Sequence, residues 1–343
     1  MKNFKYFENE TAYNSERNGN YEEPWVSWTD GRGVNYNKKK YEPLTFKILS
    51  DGEIGWKIGG GSSSRQIYYS RNDVGVWLGI TSTSEGTTIP VVAGDVLRFK
   101  GSVFPGSGYD DYSQFTSTCT FEASGNPGSL KYGEVTYGDE PLATGCYYYL
   151  FKDCTGLISA PELPATTLAQ YCYYGMFRGC ASLTTAPELP AMTLATNCYS
   201  LMFNGCTNLT TAPELPATTL VAACYQDMFS GCTSLTKAPE LPATTLVGSC
   251  YSHMFQGCTS LTTAPELPAT TLTGYCYYQM FEGCTSLNYV KAMFIELTPT
   301  NATTNWLYRV ASTGTFVKNA SATWTPGGGS SVPIDWTIET ASE

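Results

Sequence analysis

The side chains best equipped for chemistry in this chain recur on a fixed interval. Cys146, Cys172, Cys198, Cys224, Cys250 and Cys276 are 26 residues apart, and Cys154, Cys180, Cys206, Cys232, Cys258 and Cys284 keep that interval eight residues behind. Thiols so spaced can bridge or bind metal. Zinc is disfavoured, because no CxxC pair occurs and His253 is the sole histidine. Bridges stay geometrically open: coils stacked about 4.8 Å apart fall within the roughly 4.4–6.8 Å that a disulfide tolerates between Cα atoms. Against bridging, cysteine packs well as a small apolar residue. The N-terminus, MKNFKYFENETAYNSE, also has neither an apolar stretch nor a small-residue cleavage site, so export by the usual route is not expected and the compartment would be reducing. The sequence predicts free thiols, no metal and no cofactor. Cys119 stands outside both series.

The remaining candidates point to binding rather than to a reaction. Most nucleophile–base pairs use histidine. His253 occupies a repeat position held elsewhere by Gly175, Leu201, Asp227 and Gln279, which reads as a surface position. Gly59-Gly60-Gly61 lacks the Lys-Thr of a phosphate loop. Paired carboxylates of the glycosidase kind stay open, since spatial pairs are invisible in sequence. No catalytic residue is assigned, and an enzyme is not expected. Glu162, Glu188, Glu214, Glu240 and Glu266 share one repeat position. Stacked, they make an acidic ladder, read as a solvated edge that discourages aggregation, with a cation or basic partner as the functional alternative. Thr185, Thr211, Lys237 and Thr263 mark an exposed strand face. Tyr171, Tyr174, Arg178, Tyr275 and Tyr278 add aromatic and charged surface. These nine are the candidate binding residues.

Positioning them falls to the repeat. Each unit reads like CYYGMFRGCASLTTAPELPAMTL. A period in the twenties marks a solenoid, whose units bury their apolar faces only by stacking. Thr before Leu168 and Gly179 after Arg178 suggest a cap at each end of a helix over Leu168–Arg178. At 100° per residue, Leu168, Cys172, Tyr173, Met176 and Phe177 share one side, and Gln170, Tyr171, Tyr174, Gly175 and Arg178 the other. The first set recurs in nearly every copy and the second changes, so the copies themselves separate core from surface. Thr184–Ala186 reads as a strand kept short by Pro187 and Pro190. The expectation is an α/β leucine-rich-repeat solenoid over residues 136–295, with one short parallel strand and one helix per 26-residue coil.

Three other regions flank it. Residues 1–40 read as a docking arm: a short helix with Phe4, Phe7, Ala12 and Tyr13 on one face, then a hairpin turning at Asp30-Gly31. Residues 41–135 read as an all-β, immunoglobulin-like sandwich without its Cys–Trp–Cys signature. Its seven strands are Leu44–Leu49, Ile54–Ile58, Gln66–Ser70, Val76–Ile80, Thr88–Val92, Val96–Lys100 and Gln114–Ala123. Residues 296–343 read as a C-terminal cap with a helix at Trp306–Val310, strands at Gly314–Lys318 and Trp336–Glu339, and a flexible loop from Pro326 to Pro333.

The whole chain has 343 residues, a net charge of −10 and 15% charged residues. With the sole basic run at Lys38–Lys40, nucleic acid is excluded as a partner. No stretch nears the roughly 20 apolar residues of a membrane span, so no membrane insertion is expected. Asn208, Asn301 and Asn319 begin glycosylation-like triplets, read as chance.

The string CYxxMFxGCTSLTxAPELPATTL resembles the cysteine-containing leucine-rich repeats of the BspA-like family of gut bacteria and their phages. The likeness is carried by Phe177-Arg-Gly-Cys180-Ala-Ser-Leu183 and its copies at Phe203, Phe229, Phe255 and Phe281. The closing VASTGTFVKNASATWTPGGGSSVPIDWTIETA is similar to the cap that follows such repeats. YFENETAYNSERNGNYEEPWVSW resembles the N-termini of phage-encoded structural proteins. The resemblance implies a surface protein of adhesion and host contact. Three functions follow in order: a phage virion component (fibre or decoration), a bacterial cell-surface adhesin, and a glycan-processing enzyme. The first implies a virion location after assembly in the host cytoplasm. Its partners would be other virion proteins through residues 1–40 and a host-surface protein or glycan, with a homo-oligomer also open.

Overall fold

The computed structural model describes residues 25–29, 35–60, 64–108, 111–299, 301–327 and 332–341. The expected arm helix and the Asp30-Gly31 turn lie outside them. The arm's two strands, β1 (Trp25–Thr29) and β2 (Asn35–Lys39), pair antiparallel.

Alternating apolar and polar residues build the next region. Its strands are β3 (Thr45–Ile48), β4 (Gly52–Gly60), β5 (Gln66–Arg71), β6 (Leu78–Thr81), β7 (Thr87–Val91), β8 (Val96–Lys100), β9 (Gly106–Gly108), β10 (Asp111–Ser117) and β11 (Phe121–Ser124). Each segment read as a strand overlaps one, and the longest breaks at Thr118–Thr120 into β10 and β11. With β12 (Leu157–Ser159), they form a sheet ordered β12-β11-β3-β8-β5-β6 and a second ordered β7-β4-β10-β9. Phe46 of the first sheet meets Phe115 of the second at 4.9 Å between ring centres. A short helix, α1 (Ser129–Tyr132), leads out of the sheets.

The predicted helix over Leu168–Arg178 is absent; the segment is a ribbon of successive turns. Tyr171, Gly175 and Gly179 have φ of 56°, 54° and 74°, and positive values recur every fourth residue in later coils, as at Asn197, Leu201 and Gly205. An α-helix keeps its N–H groups bonded inside itself. Here alternate residues do so, through three-residue closures from Cys172 N–H to Ala169 O and from Met176 N–H to Tyr173 O. The others cross to the next coil: Tyr173 N–H to Cys198 O (3.1 Å), Gly175 N–H to Ser200 O (2.8 Å) and Phe177 N–H to Met202 O (2.9 Å). A helix would forfeit these cross-coil bonds, which hold the stack in register. The inner and outer sets survive the change of element: Leu168, Cys172, Tyr173, Met176 and Phe177 are buried, whereas Tyr171, Tyr174 and Arg178 are half-buried. Gly175 departs from its set and is buried.

Identical residues therefore form columns. The phenylalanine rings from Phe151 to Phe281 stack at 5.5–5.7 Å, and the tyrosines from Tyr147 to Tyr277 at 5.7–6.1 Å. All thirteen cysteines are free and buried. The second series also donates hydrogen bonds between coils: the Sγ–H of Cys206, Cys232 and Cys258 reaches the carbonyls of Phe177, Phe203 and Phe229 at 3.1 Å. A thiol fits an apolar column and still offers one weak donor.

The strand per coil also needs correcting. The internal coils make isolated parallel bridges, such as Ser159–Thr185, Thr211–Lys237 and Thr263–Tyr289, because flanking prolines remove ladder donors. Full strands return at the far end as β13 (Tyr289–Ala292), β14 (Thr315–Lys318) and β15 (Thr337–Thr340), paired parallel in that order. The helix expected at Trp306–Val310 is another turn ribbon, with φ of 54° at Asn305 and 61° at Arg309. Sheets and coils share one apolar core: β11 pairs parallel with β12, and Phe115 stacks on Phe151 at 5.5 Å.

Candidate functional site

The four-residue rhythm decides what each coil shows outside. Side chains at the positions of Cys172, Tyr173, Met176 and Phe177 point into the core. Those at the positions of Tyr171, Tyr174 and Arg178 lie on the opposite side, and these are where the copies differ, although Tyr148, Ser200 and Ser252 at the Tyr174 position are themselves buried. Down the stack, the Tyr174 position reads Tyr148, Tyr174, Ser200, Gln226, Ser252 and Tyr278. The Gly175 position reads Tyr149, Gly175, Leu201, Asp227, His253 and Gln279. The outer face of the ribbons is thus an unrepeated strip on a repeated scaffold.

Aromatic residues gather at its first end. Tyr148 stacks on Tyr174 at 4.7 Å, Tyr149 meets Tyr174 at 5.6 Å, and Tyr171 meets Tyr174 at 5.7 Å. Gly175 makes this possible: a Cβ there would sit 2.1 Å from the Tyr149 ring. Arg178 donates from Nη1 to the Tyr149 hydroxyl at 3.2 Å. Burial, with Tyr149 and Asp227 nearby, pushes the Tyr174 phenol up to about 12.

The middle of the strip is polar. His253 Nε2 lies 2.7 Å from Gln279 Oε1 and Nδ1 lies 2.9 Å from the Ser252 hydroxyl. This suits the tautomer with hydrogen on Nε2, where the ring donates to Gln279 and accepts from Ser252. Asp227 Oδ1 is 3.9 Å from His253 Nδ1. Burial raises the Asp227 carboxyl above its ordinary range, and His253, a bond from Gln226 and Arg178 offset part of that rise. Gln256 donates to Glu282 at 2.8 Å. At the far end, Tyr275 and Tyr278 pack edge to face at 5.5 Å, and Tyr278 packs against His253 at 5.2 Å. The two aromatic ends are four coils apart, on the order of 20 Å at about 4.8 Å per coil.

The structure therefore gathers Tyr171, Tyr174 and Arg178 into one group and Tyr275 with Tyr278 into another, on a single face. Thr185, Thr211, Lys237 and Thr263 are exposed on the strand side and join neither group. Glu162, Glu188, Glu214, Glu240 and Glu266 are exposed, and the last pairs with Lys291 at 2.8 Å. Sequence reasoning missed Tyr148, Tyr149 and the Asp227–His253–Gln279 ladder. The signal was present: these residues lie at 26-residue offsets from one another or from Tyr174 and Gly175. Reading them as neighbours requires knowing that equivalent positions stack coil on coil, and Tyr148 and Tyr149 are buried there against Tyr112 of β10.

Among curated proteins and among solved structures, none matches the chain. A family model does match: the BspA type leucine rich repeat region, in six copies, over residues 147–262 and 175–298. The segment matched is the stack of turn ribbons just described, with its phenylalanine, cysteine and leucine columns. Residues 147–298 are thus a run of BspA-type leucine-rich repeats.

Proposed function

We propose that the protein is a non-enzymatic recognition and adhesion protein whose ribbon face contacts a glycan on a host surface. One observation carries this reading: the inner columns are nearly constant from coil to coil, and the outer strip is different in each. A purely structural stack has no need of such variety. The residues suit carbohydrate, since tyrosine presents an apolar ring beside a polar hydroxyl, and the half-buried Gln226, Asp227 and Gln279 offer donors and acceptors between the aromatic ends. The solenoid description of the coils and the immunoglobulin-like assignment of the preceding sheets belong to the same proposal. A glycan array probed with the full chain tests it: selective binding to a related group of glycans is expected, and uniform absence of binding would remove the glycan.

Placement on a virion rests on the resemblance of the N-terminal segment, with residues 1–40 docking to other virion proteins. Deleting residues 1–40 should abolish incorporation into particles and leave the coils folded; unchanged incorporation would overturn the docking role. The BspA-type repeats equally support placement on a bacterial cell surface as an adhesin.

A further inference from the structure

We infer that the C-terminal end of the ribbon stack is a docking edge for an extended polypeptide segment of a partner protein. Each ribbon has a donor edge and an acceptor edge. Within the stack, the donor edge of one ribbon meets the acceptor edge of the next, as Phe255 N–H meets Met280 O and Phe281 N–H meets Trp306 O at 2.9 Å. The first acceptor edge is covered by this chain's own sheet: Gly106 N–H bonds Cys146 O at 3.0 Å and Phe115 N–H bonds Leu150 O at 2.8 Å. The last donor edge is different. By the repeat, it consists of the N–H groups of Asn305, Leu307 and Arg309. None of these has an acceptor among the described residues, although Leu307 is only 2% exposed.

The sequence explains the gap. Tyr289 pairs with Thr315, an offset of 26, but Thr315 pairs with Thr337, an offset of 22. The final coil is too short to lay down a ribbon. It crosses instead through Trp324, which packs on Phe294 at 5.4 Å and on Phe316 at 5.3 Å. Strand β15 is therefore one coil ahead of the last ribbon. Where the next ribbon would lie there is a cleft of about 420 Å³ between Leu307, Arg309 and Ser312 on one side and Pro333, Ile334 and Asp335 on the other. Ile334 stands 79% exposed on its wall.

The occupant follows from the edge. Donors on alternate residues call for carbonyls on alternate residues, which an extended or turn-rich backbone supplies when it adds to an open edge. Ile334 and Tyr308 favour an apolar side chain on that segment. A second copy of this chain cannot supply the acceptors end to end, because its own acceptor edge is already covered by β9 and β10. The inference does not depend on what the outer strip binds.

Amide hydrogen exchange of the full chain tests it, with a synthetic peptide of residues 197–206 carrying serine for both cysteines as the probe. In the free protein, Asn305, Leu307 and Arg309 amides should exchange much faster than those of Phe281 and Gly283. At saturating peptide they should slow at least ~10-fold, and Ser312→Trp, which fills the cleft from its exposed rim, should remove the effect. Three amides already protected in the free chain, no slowing with peptide, or equal slowing by a scrambled peptide would overturn the inference. Equal slowing by sulfate alone would make the edge an anion site and overturn it too.

Discussion

Ala223 and Ser249 discriminate between a helix and a ribbon of turns by the sign of a stability change. Both sit at the Tyr171 position, inside the segment that reads as helical, and both hold positive φ: 53° at Ala223 and 58° at Ser249. Each is half-buried, and neither side chain makes a hydrogen bond among the described residues. In a helix interior, glycine is worse than alanine by about 1 kcal/mol. In the left-handed region, a side chain costs about 1–2 kcal/mol that glycine avoids, less about 0.4–1 kcal/mol for the freer unfolded chain. The double variant Ala223→Gly/Ser249→Gly should then gain about 1.5 kcal/mol over its two sites, where a helix would lose about as much. Urea unfolding at constant m reads the difference as a shift in midpoint. A lower midpoint would refute the ribbon and the cross-coil hydrogen bonding built on it.

Three further outcomes follow from the same packing. Phe229→Ala removes a ring stacked on both sides, at 5.6 and 5.7 Å, and should cost about 3–5 kcal/mol by chemical denaturation. All thirteen cysteines are buried, and burial pushes Cys154, Cys224 and Cys284 up to about 12. A thiol reagent such as DTNB at pH 8 should therefore label the native protein little and all thirteen after denaturation; ready native labelling would contradict the buried columns. Asp227 has a folded-state pKa above its unfolded value near 3.8. The stability of its protonated form is thus present below that value and is lost as pH rises through the folded pKa. Asp227→Asn should stabilise the protein at pH 7, with the gain vanishing near pH 3.5 (~0.3 below the unfolded value) in parallel unfolding curves.

The repeat was legible because residue type alone separated the constant positions from the changing ones. Phe177, Cys180 and Leu183 recur, and the structure buries all three. The local element was misread because Cys172, Met176 and Cys180 repeat every four residues, close enough to the 3.6 of a helix to imitate it. The distinguishing marks were Gly175 and Gly179, four apart, and poor helix formers such as Asn197 one step earlier in the same four-residue rhythm. Those marks gain meaning only when cross-coil partners exist for the N–H groups a helix would have kept. The binding face was half legible. Tyr174 and Arg178 stood out by changing between copies. Tyr149 did not, because its contact with Tyr174 depends on the absent side chain of Gly175 in the neighbouring coil. The strand-face candidates Thr185 and Lys237 rested on exposure alone, and the structure joins them to no cluster.

The central claim is that the outer strip of the ribbons, and not the strand side, does the recognising. Surface plasmon resonance on the strongest glycan from the array measures it directly, comparing Tyr174→Ala/Arg178→Ala with Thr185→Ala/Lys237→Ala. The first pair should weaken Kd by ~10-fold or more, a loss of about 1.4 kcal/mol, and the second should leave it unchanged. Loss of binding confined to the Thr185/Lys237 variant would contradict the account.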